Sequence, residues 1–205
     1  YDLEKMTVEW GKSNVGDFGS YKLLYSKTES GDRDTLKTYT DKNTISYSTS
    51  TYDPTIENWY WIMVSDTLGQ SSIGNGKTNS IDSVPKKIDI EDVIHSIDIQ
   101  DDGTQVGKIT IKWSKSEESD FIKYNLYYSQ SENSDKGLIK TFNDIQVTSI
   151  SFQVVPPFDV TSYDPTHENW FFLEEVDYWG QSSIGKGKTN KIDDSPTKSE
   201  IYDVS

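Results

Sequence analysis

The segment Tyr52-Asp53-Pro54-Thr55-Ile56-Glu57-Asn58-Trp59 returns as Tyr163-Asp164-Pro165-Thr166-His167-Glu168-Asn169-Trp170, and the eleven residues Gly69 to Asn79 return, with one change, as Gly180 to Asn190. The chain is a tandem repeat. Earlier landmarks recur as well, Trp10 as Trp113 and Tyr21 to Ser26 as Tyr124 to Ser129. Their spacing is 103 residues (Trp10 to Trp113), whereas the later blocks are 111 apart (Tyr52 to Tyr163), so the second copy carries eight extra residues between Ser129 and Asp164. This period exceeds the roughly 20–50 residues of solenoid repeats and propeller blades, so each copy should be a self-contained domain with its own core. The expected division is a first domain over residues 1–82, a linker at 83–87, a second domain over 88–193, and a final stretch at 194–205.

Apolar residues make up only 33% of the chain, yet aromatics reach 13%, with 6 Trp and 13 Tyr. A few large side chains must therefore fill these interiors, each removing about 150–250 Å² from water. Alanine is absent and Arg33 is the only arginine, while Ile, Tyr, Ser, Asn, Asp and Lys abound. That bias suits strands and turns more than helices. The net charge of −14 argues against a nucleic-acid partner, because such affinity comes mainly from clustered Lys and Arg. No run approaches 18 apolar residues, so no membrane insertion is expected. Zero cysteines remove disulfides and Cys-ligated zinc from consideration.

Short runs of alternating character are separated by turn signals throughout, which predicts an all-β architecture. Met6, Val8 and Trp10 fall on one face of a strand, and Ile109, Ile111 and Trp113 repeat the phase. Further strands are expected at Tyr21 to Tyr25 and Tyr124 to Tyr128, Thr35 to Thr40 and Leu138 to Phe142, Thr44 to Thr51 and Ser149 to Val155, and Trp59 to Ser65 and Trp170 to Val176. In the last of these Tyr60, Ile62 and Val64 should face inward. The second copy then sets Glu175 where Val64 stands, and a bulge near Glu174-Glu175 would restore Val176 to the core.

This order of residues resembles the fibronectin type III family. The resemblance rests on Trp10 and Trp113 in the second strand and on the Tyr-rich third strand. It extends to the aromatic strand ending in Asp66 or Asp177 three residues before Gly69 or Gly180, and to the Ser-rich start of the last strand. It implies two tandem seven-stranded β-sandwiches of a repetitive surface or extracellular protein, bacterial or archaeal. One departure is that Asn58-Trp59 and Asn169-Trp170 occupy the place of that family's tyrosine corner.

By alignment Tyr1 matches Thr104, so the first domain is expected to lack its own first strand. The final segment Ser195 to Val204 matches Ser83 to Val93, the first strand of the second domain. Either the chain is a piece of a longer array, or Ile201, Tyr202, Asp203 and Val204 form a donor strand that pairs with the open edge of the next copy and builds a filament. Alternation would set Ile201 with Asp203 on one face and Tyr202 with Val204 on the other, as Ile90 with Asp92, or Glu91 with Val93, in the second domain. The expected partners are neighbouring copies or further domains of the same polypeptide.

Other chemistry is thin. Gly76-Lys77-Thr78 and Gly187-Lys188-Thr189 resemble the end of a phosphate-binding loop, but Ser71 and Ser182 stand where its first glycine belongs and no helix follows. The two histidines, His95 and His167, have no repeated partners, so neither zinc nor a serine triad is indicated. Glu174 and Glu175 are adjacent on a strand and point to opposite faces, which excludes paired acid/base work. Asp89, Glu91, Asp92, Asp98, Asp101 and Asp102 crowd the connection into the second domain, and oxygen ligands around a flexible hinge would suit Ca²⁺. Trp59, Trp61, Trp170 and Phe172 are candidates for an exposed aromatic platform for a surface glycan or protein ligand. The expected function is a non-catalytic structural or adhesive repeat unit outside the cell or on its surface. The alternative is a carbohydrate- or protein-binding accessory module of a secreted hydrolase.

Overall fold

The computed structural model describes residues 5–154, 163–192 and 199. The chain divides into two compact units, Tyr1–Ser83 and Val84–Ser205, each described here by itself. Among the described residues all regular structure is antiparallel strand, and no helix is long and apolar enough to cross a membrane. The first unit contains β1 (Met6–Glu9), β2 (Phe18–Ser26), β3 (Asp34–Tyr39), β4 (Ser46–Thr49), β5 (Trp59–Asp66), β6 (Ser71–Ile73) and β7 (Lys77–Thr78). Its sheets are β1-β4 and β3-β2-β5, with β6 and β7 both pairing β5. The second unit contains β8 (Ile90–Ile99), β9 (Gln105–Trp113), β10 (Phe121–Ser129), β11 (Gly137–Phe142), β12 (Ser149–Val154), β13 (Trp170–Asp177), β14 (Ser182–Ile184) and β15 (Lys188–Thr189). Its sheets are β12-β9-β8 and β11-β10-β13, with β14 and β15 both pairing β13. With β14 and β15 counted as one interrupted strand, the second unit is the seven-stranded sandwich expected from the sequence.

Period-2 alternation builds the core of domain two. Ile109, Ile111 and Trp113 from β9 meet Tyr124, Leu126 and Tyr128 from β10 and Phe171 and Leu173 from β13, and Ile88, Ile90 and Val93 close the edge. Trp113 meets Tyr124 edge-on, 6.1 Å between ring centres. A buried tyrosine needs a partner for its hydroxyl, and both copies supply the same ones. The Tyr124 hydroxyl accepts the Ser116 amide at 2.7 Å and donates to the Ile145 carbonyl at 3.3 Å. Tyr21 repeats this with Ser13 and Lys42 at 2.6 and 3.3 Å.

The repeated acidic turn explains its own sequence. Asp53 Oδ1 accepts the Thr55 amide and hydroxyl at 2.9 and 2.6 Å, and Asp164 does the same for Thr166 at 2.9 and 2.7 Å. The Asn that follows does the work of a tyrosine corner with an amide. Asn169 is 1% exposed, and its Nδ2 donates to the carbonyls of Asp164 (2.7 Å) and His167 (2.9 Å), while its Oδ1 accepts the Tyr128 hydroxyl at 2.9 Å. Asn190 Oδ1 in turn accepts the Asn169 backbone amide at 2.8 Å. Asn58, Tyr25 and Asn79 reproduce this arrangement in domain one.

Two readings of the sequence change and a third is narrowed. No bulge lies at Glu174-Glu175: β13 runs in even register there, and the irregularity is on β10 between Phe121 and Lys123, matched by one between Phe18 and Ser20 on β2. Glu175 therefore stays on the core side, 2% exposed, while Glu174 points outward. The acidic connector is no loose hinge, because Asp92, His95 and Asp98 lie on the ten-residue β8, and only Asp101-Asp102-Gly103 forms the turn into β9. Gly103 adopts φ 83° there and its amide reaches the Gln100 carbonyl at 2.9 Å. Finally, the 103-residue spacing persists to the start of β12 (Ser46 to Ser149), so the eight extra residues fall between that strand and Tyr163.

Candidate functional site

Among the described residues, the inner face of domain one is incompletely covered. β1 pairs with β4 through four register pairs, Met6–Thr49 to Glu9–Ser46, and with no other described strand. Its counterpart β9 is flanked on both edges, by β12 and by β8. The difference shows in burial: Ile109, Ile111 and Trp113 are 0%, 0% and 2% exposed, whereas Met6, Val8 and Trp10 are only half-buried. Between β1 and the β5–β7 edge lies a cavity of about 370 Å³ lined by Met6, Val8, Trp10, Tyr60, Ile62 and Lys77.

In domain two this place is filled by β8 and the residues before it. The two Gly-x-Gly segments record the difference. A Cβ on Gly185 would fall on the carbonyl of Ile88, because that strand crosses directly over the glycine. A Cβ on Gly74, its equivalent, would meet only the Ile62 carbonyl at 3.8 Å and side chain at 4.0 Å. The second glycine of each segment serves another purpose: Gly76 lies flat on the Trp61 ring and Gly187 on Phe172, where any Cβ would overlap the ring. Close backbone approach, and not phosphate binding, accounts for the repeated Gly-Lys-Thr. Sequence reading missed these glycines as determinants of strand docking, although their exact recurrence in an Ile-Gly-x-Gly-Lys-Thr block was the available signal.

The register of β8 also corrects the facial assignment of a docked strand. Pairing with β9 shifts between Ile90 and Asp92, so Glu91 is an extra residue. Ile90 and Val93 thereby both reach the core, at 5% and 8% exposure, where strict alternation would separate them. The matching residues of the final segment are Ile201 and Val204, with Tyr202 and Asp203 between them. All four lie outside the described residues.

The aromatic pairs come together on the outer face. Trp59 and Trp61 stack at 5.9 Å and Trp170 and Phe172 at 6.3 Å, each with an interplanar angle of 22°. In each pair one ring is covered: Trp61 is 4% exposed beneath the Arg33 guanidinium, 4.3 Å from its ring centre, and Phe172 is 5% exposed beneath Lys136 at 4.4 Å. Trp59 and Trp170 remain half-exposed, their indole N–H groups donating to Glu57 and Glu168. Beside them Glu174 accepts hydrogen bonds from Asn125, Tyr127 and Ser182. Burial pushes its carboxyl up, but these three donors outweigh that and hold it below the usual range.

The six acidic residues of the connector are strung along β8 and its turn, and no three of them gather their carboxylates at one point. Asp89 accepts the Lys186 amide at 2.7 Å, Asp92 pairs with Lys188 at 3.5 Å and Asp98 with Lys108 at 3.3 Å. Asp102 caps its turn through the Thr104 amide at 2.9 Å, while Glu91 and Asp101 are exposed.

No protein-family model matches this chain, and neither does any curated protein. Among solved structures it is similar to the FN1–FN3 domains of chicken CNTN1, at 11% identity and a TM-score of 0.35, over 92% of this chain. The chain spans 62% of the length of that structure.

Proposed function

We propose that this chain is a non-catalytic structural unit of an extracellular array, in which the open edge of domain one receives a strand from a neighbouring copy and Ile201 to Val204 is the strand it donates. The observation that carries this reading is the cavity beside β1, in the place that β8 occupies in domain two. An unpaired strand edge beside half-buried Met6, Val8 and Trp10 is a template for another strand. The occupant is chosen by sequence: Ile201 and Val204 repeat the anchors Ile90 and Val93, and Pro196 repeats Pro85. Glycine at position 74 leaves the approach clear. Seating two aliphatic anchors is worth about 3–6 kcal/mol, at roughly 1.5–3 kcal/mol each, before the entropy of association is subtracted.

The test compares the full chain with a truncation after Thr197. Sedimentation at rising concentration should show head-to-tail oligomers for the full chain and a monomer for the truncated one. A peptide spanning Lys198 to Ser205 should raise the melting temperature of the truncated chain, and the same peptide with Ile201→Asp and Val204→Asp should not. A full chain that stays monomeric at millimolar concentration, with a peptide that shifts nothing, refutes donation.

A further inference from the structure

The lysine of each Ile-Gly-x-Gly-Lys-Thr block is not explained by close packing. The glycine before it is, since Gly76 and Gly187 lie against the Trp61 and Phe172 rings. Lys77 and Lys188 sit in matching register, Lys77 opposite Tyr60 on β5 and Lys188 opposite Phe171 on β13, and both are exposed. Domain two shows what such a lysine does there. The Lys188 ammonium donates to the Glu91 carbonyl and lies 3.5 Å from the Asp92 carboxylate, so it clasps the strand that closes the sandwich. Beside it the Lys186 amide donates to Asp89 at 2.7 Å, and the Ile90 amide donates to the Lys186 carbonyl at 3.2 Å. In domain one Lys77 lines the cavity beside β1 and, among the described residues, forms no salt bridge.

We propose that Lys77 selects the occupant of this edge, accepting a strand that carries a carboxylate two residues after its aliphatic anchor. The inference rests on the strand-donation reading and adds to it the rule by which one strand is chosen over another. The spacing of 111 residues that carries Lys77 to Lys188 also carries Asp89, Ile90, Asp92 and Val93 to Glu200, Ile201, Asp203 and Val204. Both positions that meet the Gly-x-Gly-Lys segment through a carboxylate therefore stay acidic in the final segment. Glu91, whose carbonyl and not its carboxylate meets Lys188, becomes Tyr202. Ile88 becomes Ser199, so the final segment has fewer apolar anchors than β8 and leans more on its polar ones.

The neighbour across the sheet sharpens the demand on Lys77. In domain two Asp92 pairs in register with Lys112 on β9, and the residue of β1 that matches Lys112 is Glu9. An acid docked against β1 in this register faces Glu9 on one side and Lys77 on the other. Without the lysine it would meet like charge alone, which costs more than an exposed ion pair gains. Lys77 thus contributes little to the strength of docking and much to its selectivity: a strand with a lysine in place of Asp203 is repelled by it, and an apolar residue there leaves it without a partner.

The experiment follows self-association of the full chain by sedimentation, with the melting temperature of each variant recorded as a check on folding. Lys77→Ala should weaken association about three- to fivefold, and Lys77→Glu roughly tenfold or more. Glu9→Lys, which installs the residue of domain two, should strengthen it about threefold. Combining Lys77→Glu with Asp203→Lys in one chain should restore association to within about threefold of the original, a rescue that a merely structural role of Lys77 would not allow. Association of the Lys77→Glu chain equal to that of the original, or a double variant as weak as Lys77→Glu alone, would overturn the selection rule and leave donation standing. A full chain that does not associate at all would overturn both.

Discussion

Gly185→Ala should strip the first strand from domain two and lower its melting temperature by roughly 15–25 °C, while Gly74→Ala should leave domain one within a degree or two of its original value. The asymmetry follows from what lies over each glycine. A methyl group at 185 lands on the Ile88 carbonyl, and the strand can make room only by lifting Ile88 and Ile90 from their places at 7% and 5% exposure. Re-exposing two isoleucines costs about 3–6 kcal/mol, a large part of the roughly 5–15 kcal/mol that holds a domain of this size together. At 74 the same methyl meets ordinary contacts near 4 Å. Scanning calorimetry of the two variants decides it. Equal damage from both would mean that domain one already has a strand over Gly74, and harmlessness of both would mean that β8 contributes little. In the assembled state the contrast should invert: Gly74→Ala, silent in the monomer, should block head-to-tail association.

Asn169→Ala should cost domain two about 3–5 kcal/mol, read as a fall in melting temperature of roughly 15–20 °C. The side chain is 1% exposed and holds the Asp164 and His167 carbonyls and the Tyr128 hydroxyl at 2.7, 2.9 and 2.9 Å. Truncation leaves several buried polar groups without this partner, each worth about 1–3 kcal/mol when unsatisfied. Tyr128→Phe removes only one of these bonds and should cost about 1 kcal/mol. Asn169→Asp should be nearly as harmful as alanine, since it keeps the acceptor but loses the Nδ2 donor and buries a charge. Urea unfolding of the three variants should give that order. A mild Asn169→Ala would show that the turn is held by Asp164 and Thr166 alone.

What the sequence disclosed and what it concealed divide along physical lines. Alternation made Ile109, Ile111 and Trp113 legible as one buried face, because a pleated strand exposes its side chains with period 2 whatever surrounds it. Bulges are invisible to that rule. The irregularity at Glu91 brings Ile90 and Val93 to the same side, so that facial assignment failed where a single residue slipped out of register, whereas β13 keeps its alternation and holds Glu175 in the core without the bulge expected there. The Asn corner was noticed as a departure, but its function depended on a hydroxyl, Tyr128, 41 residues earlier in the chain. The acidic stretch after Ile88 read as a hinge because its charges outweighed its isoleucines. Ile94, Ile97 and Ile99 are in fact exposed on the hairpin, 42%, 60% and 72%, so they gave no core pattern to set against the acids.

The edge of domain two at β8 and β15 also determines how the domain meets a pulling force. The Ile90 amide bonds the Lys186 carbonyl at 3.2 Å, the Lys186 amide bonds Asp89 at 2.7 Å, and Lys188 reaches the Glu91 carbonyl and, at 3.5 Å, the Asp92 carboxylate. Residue numbers climb together on the two sides, so the entering and leaving segments run in the same direction. Tension applied through the two ends of the domain therefore drags these segments past one another lengthwise, and the four contacts bear the load together. A peeling geometry would break them one at a time at low force. Domain two is built as a clamp loaded in shear, and its yield point is set by the residues around Lys186 and Lys188.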